Sequence, residues 1–95
     1  MPNYELIYIV NPNVNEDILP EVINKIGEIV IKAGGKVTEV IPWGRKRLAY
    51  TIRRYSEGNY ILAKIETEAS SVKKIDSSLK MFEDVLRHLV IRTDN

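Results

Sequence analysis

Apolar residues occupy both parities in the first stretch of the chain. In Asn3 to Val10 (NYELIYIV), Tyr4, Leu6, Tyr8 and Val10 fall on one face of an extended strand, and Ile7 and Ile9 fall on the other. Period two with both faces apolar predicts a central strand, covered on both sides. Asn11-Pro12-Asn13 ends it with turn chemistry. The period then lengthens: from Asp17 to Ala33, Leu19, Val22, Ile23, Ile26, Ile29, Val30 and Ala33 recur at spacings of three and four, lining one helical face. Asn13 or Asn15 is placed to cap this helix, Glu16 and Asp17 suit its positive end, and Pro20 fits only the first turn. Gly34-Gly35 supplies the positive-φ residue that stops it, with Lys32 beside the negative terminus.

Alternation returns at Lys36 to Ile41 (KVTEVI), and Pro42, which cannot donate to a ladder, puts this strand at a sheet edge. Leu48 to Ile52 carries it onward, Ser56-Glu57-Gly58 reads as the turn, and Asn59 to Thr67 as the antiparallel return. Glu68 to Ser71 offers caps for a second helix with Val72, Ile75, Leu79 and Phe82 on one stripe. That spacing continues through Leu86 and Leu89, so periodicity alone permits one helix from Val72 to Ile91. Three features favour a fourth strand over Val85 to Arg92: the β-rich Leu89-Val90-Ile91, the polar break at Phe82-Glu83-Asp84, and the poor sheet that three strands would make. The expected order β-α-β-β-α-β is the split βαβ arrangement of the α+β class, a four-stranded antiparallel sheet with both helices on one face. The other face stays open and carries either Ile7 with Ile9 or the alternate Tyr set, an apolar patch that calls for a partner.

The 95 residues make one domain, 1–95, with no room for a separate catalytic unit. No run approaches the roughly eighteen apolar residues of a membrane span. Met1-Pro2 leads straight into the first strand, so nothing is expected to direct secretion. Zero cysteines exclude disulfides and thiolate chemistry and fit a reducing cytoplasm.

Charge changes the picture more. The net charge of +1 hides a polarised chain: Arg45, Lys46, Arg47, Arg53 and Arg54 form a stretch without an acid, and the rest carries nine basic residues against 13 acidic ones. A +5 segment on a −4 body is the footprint of a protein that meets phosphates with one face. Four of the five are Arg, whose planar fork suits phosphate and stacks on bases. Trp43, Tyr50, Tyr55 and Tyr60 interleave with them, as they do where rings stack on unpaired bases. The blander reading is an exposed strand whose long cations discourage edge pairing. Trp43, between Pro42 and Gly44, is expected to be part scaffold and part contact; Tyr50 reads as packing first.

His88, the single histidine, stands beside Arg87 without the companions that zinc or general base chemistry needs, so it reads as a strand residue or an anion contact. With Arg87 and Arg92 it joins the basic stretch and Trp43 as candidate RNA-contact residues. Glu66, Glu68 and Asp76, or Glu83 with Asp84, have no partner base, and no glycine pair precedes a helix to cradle phosphate. No enzymatic activity, cofactor, metal or small-molecule substrate is expected. Asn59 to Ile65 lacks the aromatic and basic signature of an RNA-recognition motif, so recognition is assigned to the hairpin and not to the central sheet face.

The opening NYELIYIVNPN, the core EVIPWGRKRLAYTIRRYSEGNYILAKIE and the close VLRHLVIR resemble the bacterial ribosomal protein S6 family over nearly the whole chain. The core is the specific part: Trp43-Gly44, a basic triplet, Leu-Ala-Tyr, and a second basic cluster before Gly-x-Tyr. Thr51 stands where the family often has Pro, and the chain ends at Asn95 without the acidic or disordered tail of some members. The resemblance implies a ferredoxin-like fold and a structural role in the cytoplasm: binding small-subunit ribosomal RNA in the platform, jointly with ribosomal protein S18. The rival reading is a small oligomeric interaction or ligand-binding module that uses the open sheet face.

Overall fold

In the computed structural model, which describes residues 1–93, the elements run β1 (Asn3–Val10), α1 (Leu19–Lys32), β2 (Lys36–Ile52), β3 (Tyr55–Glu66), α2 (Ala69–Lys80) and β4 (Val85–Arg92). The last two residues of the expected domain lie outside the described ones. The strands form one antiparallel sheet in the order β2-β3-β1-β4, so β1 is central and β2 is an edge, as the apolar pattern and Pro42 require. Val85 to Arg92 is the fourth strand and not the tail of a long helix.

Tyr4, Leu6, Tyr8 and Val10 face the helices and join Val22, Ile26 and Val30 of α1, Ile75 and Leu79 of α2, and Ile61, Ala63 and Ile65 of β3 in the main core. The Tyr8 hydroxyl lies within this core, and burial pushes its pKa far above the ordinary tyrosine value, so it stays neutral. Helix α1 starts two residues later than its acids suggest. Ile18 is its N-cap, no side chain caps it, and the Asn15 main-chain carbonyl instead accepts from the amides of Ile18 and Leu19, both at 2.9 Å. Glu68 occupies the N-cap of α2, again without a side-chain bond, and that helix stops at Lys80, leaving Phe82 to pack from the following turn. At the far end of α1, Gly34 takes the positive φ (98°) that the sequence anticipates.

The hairpin departs from the sequence expectation. Ser56-Glu57-Gly58 is not a turn: β3 already runs from Tyr55, and the chain reverses at Arg53-Arg54, with Ile52 pairing Tyr55. Both arginines have positive φ (49° and 72°), the signature of a tight hairpin turn whose twist matches the strands. Gly58 serves another purpose. A Cβ there would lie 2.4 Å from Ile9 Cγ2 and 3.2 Å from the Val10 carbonyl oxygen, so the glycine admits a neighbouring side chain against the backbone.

Seventeen residues of β2 oppose twelve of β3, and the surplus enters at three register shifts, after Val37, after Pro42 and after Arg47. Each shift bends the edge strand and tightens its twist. The distal hairpin therefore leaves the plane of the sheet and folds across its helix-free face. There Leu48 is buried with Ile9 and Leu86 in a second, smaller cluster, flanked by Ile52, Tyr55 and Tyr60. The expected cover on both sides of β1 is thus found at its Ile9 end. Farther along the same face, Leu89 and Ile91 of β4 remain 54% and 42% exposed.

Candidate nucleic-acid interface

The bent hairpin is pinned to the body by its own basic and aromatic side chains. Arg45 donates to the Pro12 carbonyl at 2.7 Å and pairs with Glu57 at 3.3 Å. Arg53 donates to the Glu83 carbonyl at 3.1 Å. The Tyr55 hydroxyl accepts from the side-chain amides of Asn11 and Asn13 at 3.2 and 3.3 Å. Arg87, on β4, donates to the Tyr50 hydroxyl and lays its guanidinium 5.8 Å from the centre of that ring. Hairpin, β1–α1 loop and start of β4 are thereby drawn to one end of the molecule.

Alternation along β2 splits the triplet. Arg45 and Arg47 stand opposite Asn59 and Glu57, while Lys46, opposite Gly58, reaches over Trp43 with its Nζ 5.8 Å from the ring centre. Trp43 sits at the second register shift and is 44% exposed, an arrangement that holds the ring by its neighbours and leaves a face for stacking. Tyr50 is 59% exposed and its packing is against Arg87. No sequence signal placed it beside Arg87, because the pair depends on the out-of-plane bend, and the register shifts that produce the bend leave only a faint trace in Pro42 and Gly44.

Arg45, Lys46, Arg47, Arg53, Arg54, Trp43 and Arg87 are therefore brought together. Two other candidates are not. His88 points to the opposite side of β4, its side chain only 8% exposed, and Nε2 donates to Asp76 Oδ1 of α2 at 2.6 Å. The reason is strand alternation: His88 pairs with Tyr8, whose side chain faces the helices, whereas Arg87 pairs with Ile9 on the helix-free face. His88 is a strut between α2 and the sheet. Its hydrogen bond, with that of Lys80, holds the Asp76 carboxyl below its ordinary pKa. Arg92 pairs with Tyr4 at the other end of β4, about 17 Å along the strand from Arg87 at ~3.3 Å per residue.

Among the described residues no group of three or more His, Cys, Asp or Glu side chains could hold a metal ion. What the hairpin end offers instead is cations around partly exposed rings, a surface for phosphates and unpaired bases.

Comparison with known proteins identifies the family. A family model described as Ribosomal protein S6 matches residues 3–92. The small ribosomal subunit protein bS6 of Clostridioides difficile is 40% identical over 91 residues, covering 96% of this chain and 98% of that protein. The bS6 protein of Corynebacterium aurimucosum is 39% identical over 95 residues, covering 100% of this chain and 99% of its own. In structure, the 30S ribosomal protein S6 of Thermotoga maritima superposes with a TM-score of 0.88 at 22% identity, over 97% of this chain and 87% of that one. With strand order, helix placement and the basic hairpin all in place, the chain belongs to the ribosomal protein S6 family.

Proposed function

We propose that residues 1–95 act as one ribosomal-RNA-binding unit. In this reading the hairpin end grips small-subunit RNA in the platform, and ribosomal protein S18 docks on the uncovered part of the helix-free sheet face. Family membership carries the coarser statement: this is a structural, non-enzymatic component of the small ribosomal subunit, which in bacteria is cytoplasmic. The finer reading rests on one observation, the bending of β2 that gathers six cations and two exposed rings at one end.

Arg45, Lys46, Arg47, Arg53, Arg54 and Arg87 meet phosphates; Trp43 and Tyr50 offer faces on which splayed bases stack. A bent hairpin cannot enter the deep, narrow groove of A-form RNA, so backbone contacts dominate. Contacts of this kind supply affinity only around the micromolar range or weaker at physiological salt, short of what specific sites reach. The missing part comes from the partner. Leu89 and Ile91 supply apolar area for it, and a surface ordered by one ligand costs the other less to bind.

Calorimetry on both legs tests the reading: S18 should tighten RNA binding, and RNA should tighten the protein pair by the same factor. Nanomolar specific binding by this chain alone, or the same RNA affinity with and without S18, would contradict the joint site. Replacing the five hairpin cations by Gln without changing the salt dependence would remove the hairpin from it.

A further inference from the structure

On the helix-bearing side of the sheet, away from the hairpin, an open cleft of about 550 Å³ lies between α1 and α2. Ile29 and Ala33 supply apolar lining; Lys32, Lys73, Lys74, Ser77 and Ser78 line the rest, and no acid is among them. This is unexpected on a body whose charge, outside the hairpin, is net negative. Among the described residues none of the three lysines takes part in an ion pair.

Helix chemistry accounts for only one of them. Lys32 lies in the last turn of α1, where a cation complements the negative end of the dipole. Lys73 and Lys74 lie in the N-terminal half of α2, whose first turn holds no acid, so they gain nothing from that dipole. All three lysines and both serines are exposed, and packing does not require them.

We propose that this cleft is a second RNA site, which takes a stretch of sugar-phosphate backbone. It rests on the reading of the protein as an RNA binder but not on the hairpin. Lys Nζ groups act as point charges toward phosphate oxygens, and the serine hydroxyls donate to the same oxygens or to ribose. No aromatic side chain lines the cleft, so it reads no bases. The two sites lie on opposite faces of the sheet, so one molecule can hold two RNA segments at once.

The test is a heteronuclear NMR titration of the full chain with a short RNA duplex of mixed sequence, repeated with a scrambled duplex, with inorganic phosphate and with polyglutamate. Saturable shifts at Ile29, Ala33 and Ser77 with both duplexes, lost in Lys32→Gln/Lys73→Gln/Lys74→Gln while the hairpin shifts persist, are expected. The triple variant should also lower the salt slope of duplex binding by about 2 units, at ~0.7–0.9 per phosphate. Hairpin shifts with a silent cleft overturn this inference alone; silence at both overturns the RNA reading with it. Equal response of the cleft to polyglutamate makes it an acidic-peptide site, and response to free phosphate without RNA makes it a small-anion site; either result rejects the proposal. Because all three positions are exposed, unchanged thermal unfolding of the variant shows that lost binding is not lost folding.

Discussion

The two faces of this sheet are closed by different means. On one, two helices bury Leu6, Tyr8, Val10, Ile26, Val30, Ile75 and Leu79 in a continuous core. On the other, the chain uses its own bent hairpin, and the buried cluster there is small: Ile9, Leu48 and Leu86. The first arrangement holds the molecule together, since apolar burial is the dominant favourable term in folding. The second is too small to do that. What it does is fix where six cations and two rings stand, so the difference separates stability from binding within one small domain.

The strongest way to break that comparison is to cut one residue from each core. Leu6→Ala should destabilise the chain by about 2–5 kcal/mol, the range for a large-to-small change in a core that cannot collapse. Leu48→Ala, at the rim of a three-residue cluster, should cost at most about 2 kcal/mol, near the bottom of that range. RNA affinity should follow the reverse order at temperatures where both remain folded. Urea unfolding beside RNA titration decides; equal loss of affinity in the two variants would show that the hairpin is not separately held.

The same division explains what could be read from the residues alone. The helix-side core was legible because period two and period three-to-four survive in sequence: Tyr4 through Val10, Val22 through Val30, Ile75 and Leu79 all lie where the pattern puts them. The hairpin was legible in composition but not in shape. Gly58 suggested a turn because glycine most often marks one, yet here it clears space for Ile9; the true turn uses two arginines, which no turn preference favours. His88 was grouped with Arg87 because composition cannot tell neighbours on a strand apart. Alternation sends Arg87 to one face and His88 to the other, and which face is which becomes known only once the register with β1 is known.

Gly58 offers a sharper probe. A Cβ at 2.4 Å from Ile9 Cγ2 must push the strands apart, so Gly58→Ala should cost about 1–3 kcal/mol, the usual range for overpacking. If the clash with Ile9 is the cause, Ile9→Ala should relieve part of it, and the double-mutant cycle should show favourable coupling. Strict additivity would mean that the glycine is needed for its backbone and not for the space.

At the tip, stability and binding should move in opposite directions. Left-handed backbone costs an ordinary residue roughly 1–2 kcal/mol, and Asn-Gly suits this turn far better than Arg53-Arg54. Arg53→Asn with Arg54→Gly should therefore raise stability by up to about 1 kcal/mol, after loss of the Arg53 bond to the Glu83 carbonyl is set against it. The salt slope of RNA binding should fall by about 1.5 units, two phosphates at ~0.7–0.9 each. A stabilised variant with undiminished RNA binding would show that the tip arginines are a tolerated strain without a use.

The smallest expected effect tests whether the two faces respond separately. Asp76 of α2 accepts from His88 of β4 and pairs with Lys80 at 3.3 Å, and these contacts, His88 first, lower its pKa from the ordinary 3.8. A carboxylate favoured in the folded state contributes stability that is fully present above 3.8 and is lost as pH falls through the lower folded value. Asp76 is partly exposed and its partner Lys80 is exposed, so solvent screening keeps the contribution small. Asp76→Asn keeps the shape and removes the titration, so the variant should lack the wild type's last step of acid destabilisation while matching it closely in salt dependence of RNA binding at neutral pH. Residue-resolved NMR across the acid range gives the finer readout. Ile75, Leu79 and Val90, on the helix side, should shift with the Asp76 midpoint, and Leu48 and Tyr50 should not, because β4 passes the change to only one of its faces. If Tyr50 moves with Asp76, the contact between Arg87 and Tyr50 is coupled through the strand to the helix side, and the hairpin is not independent of the core it folds across.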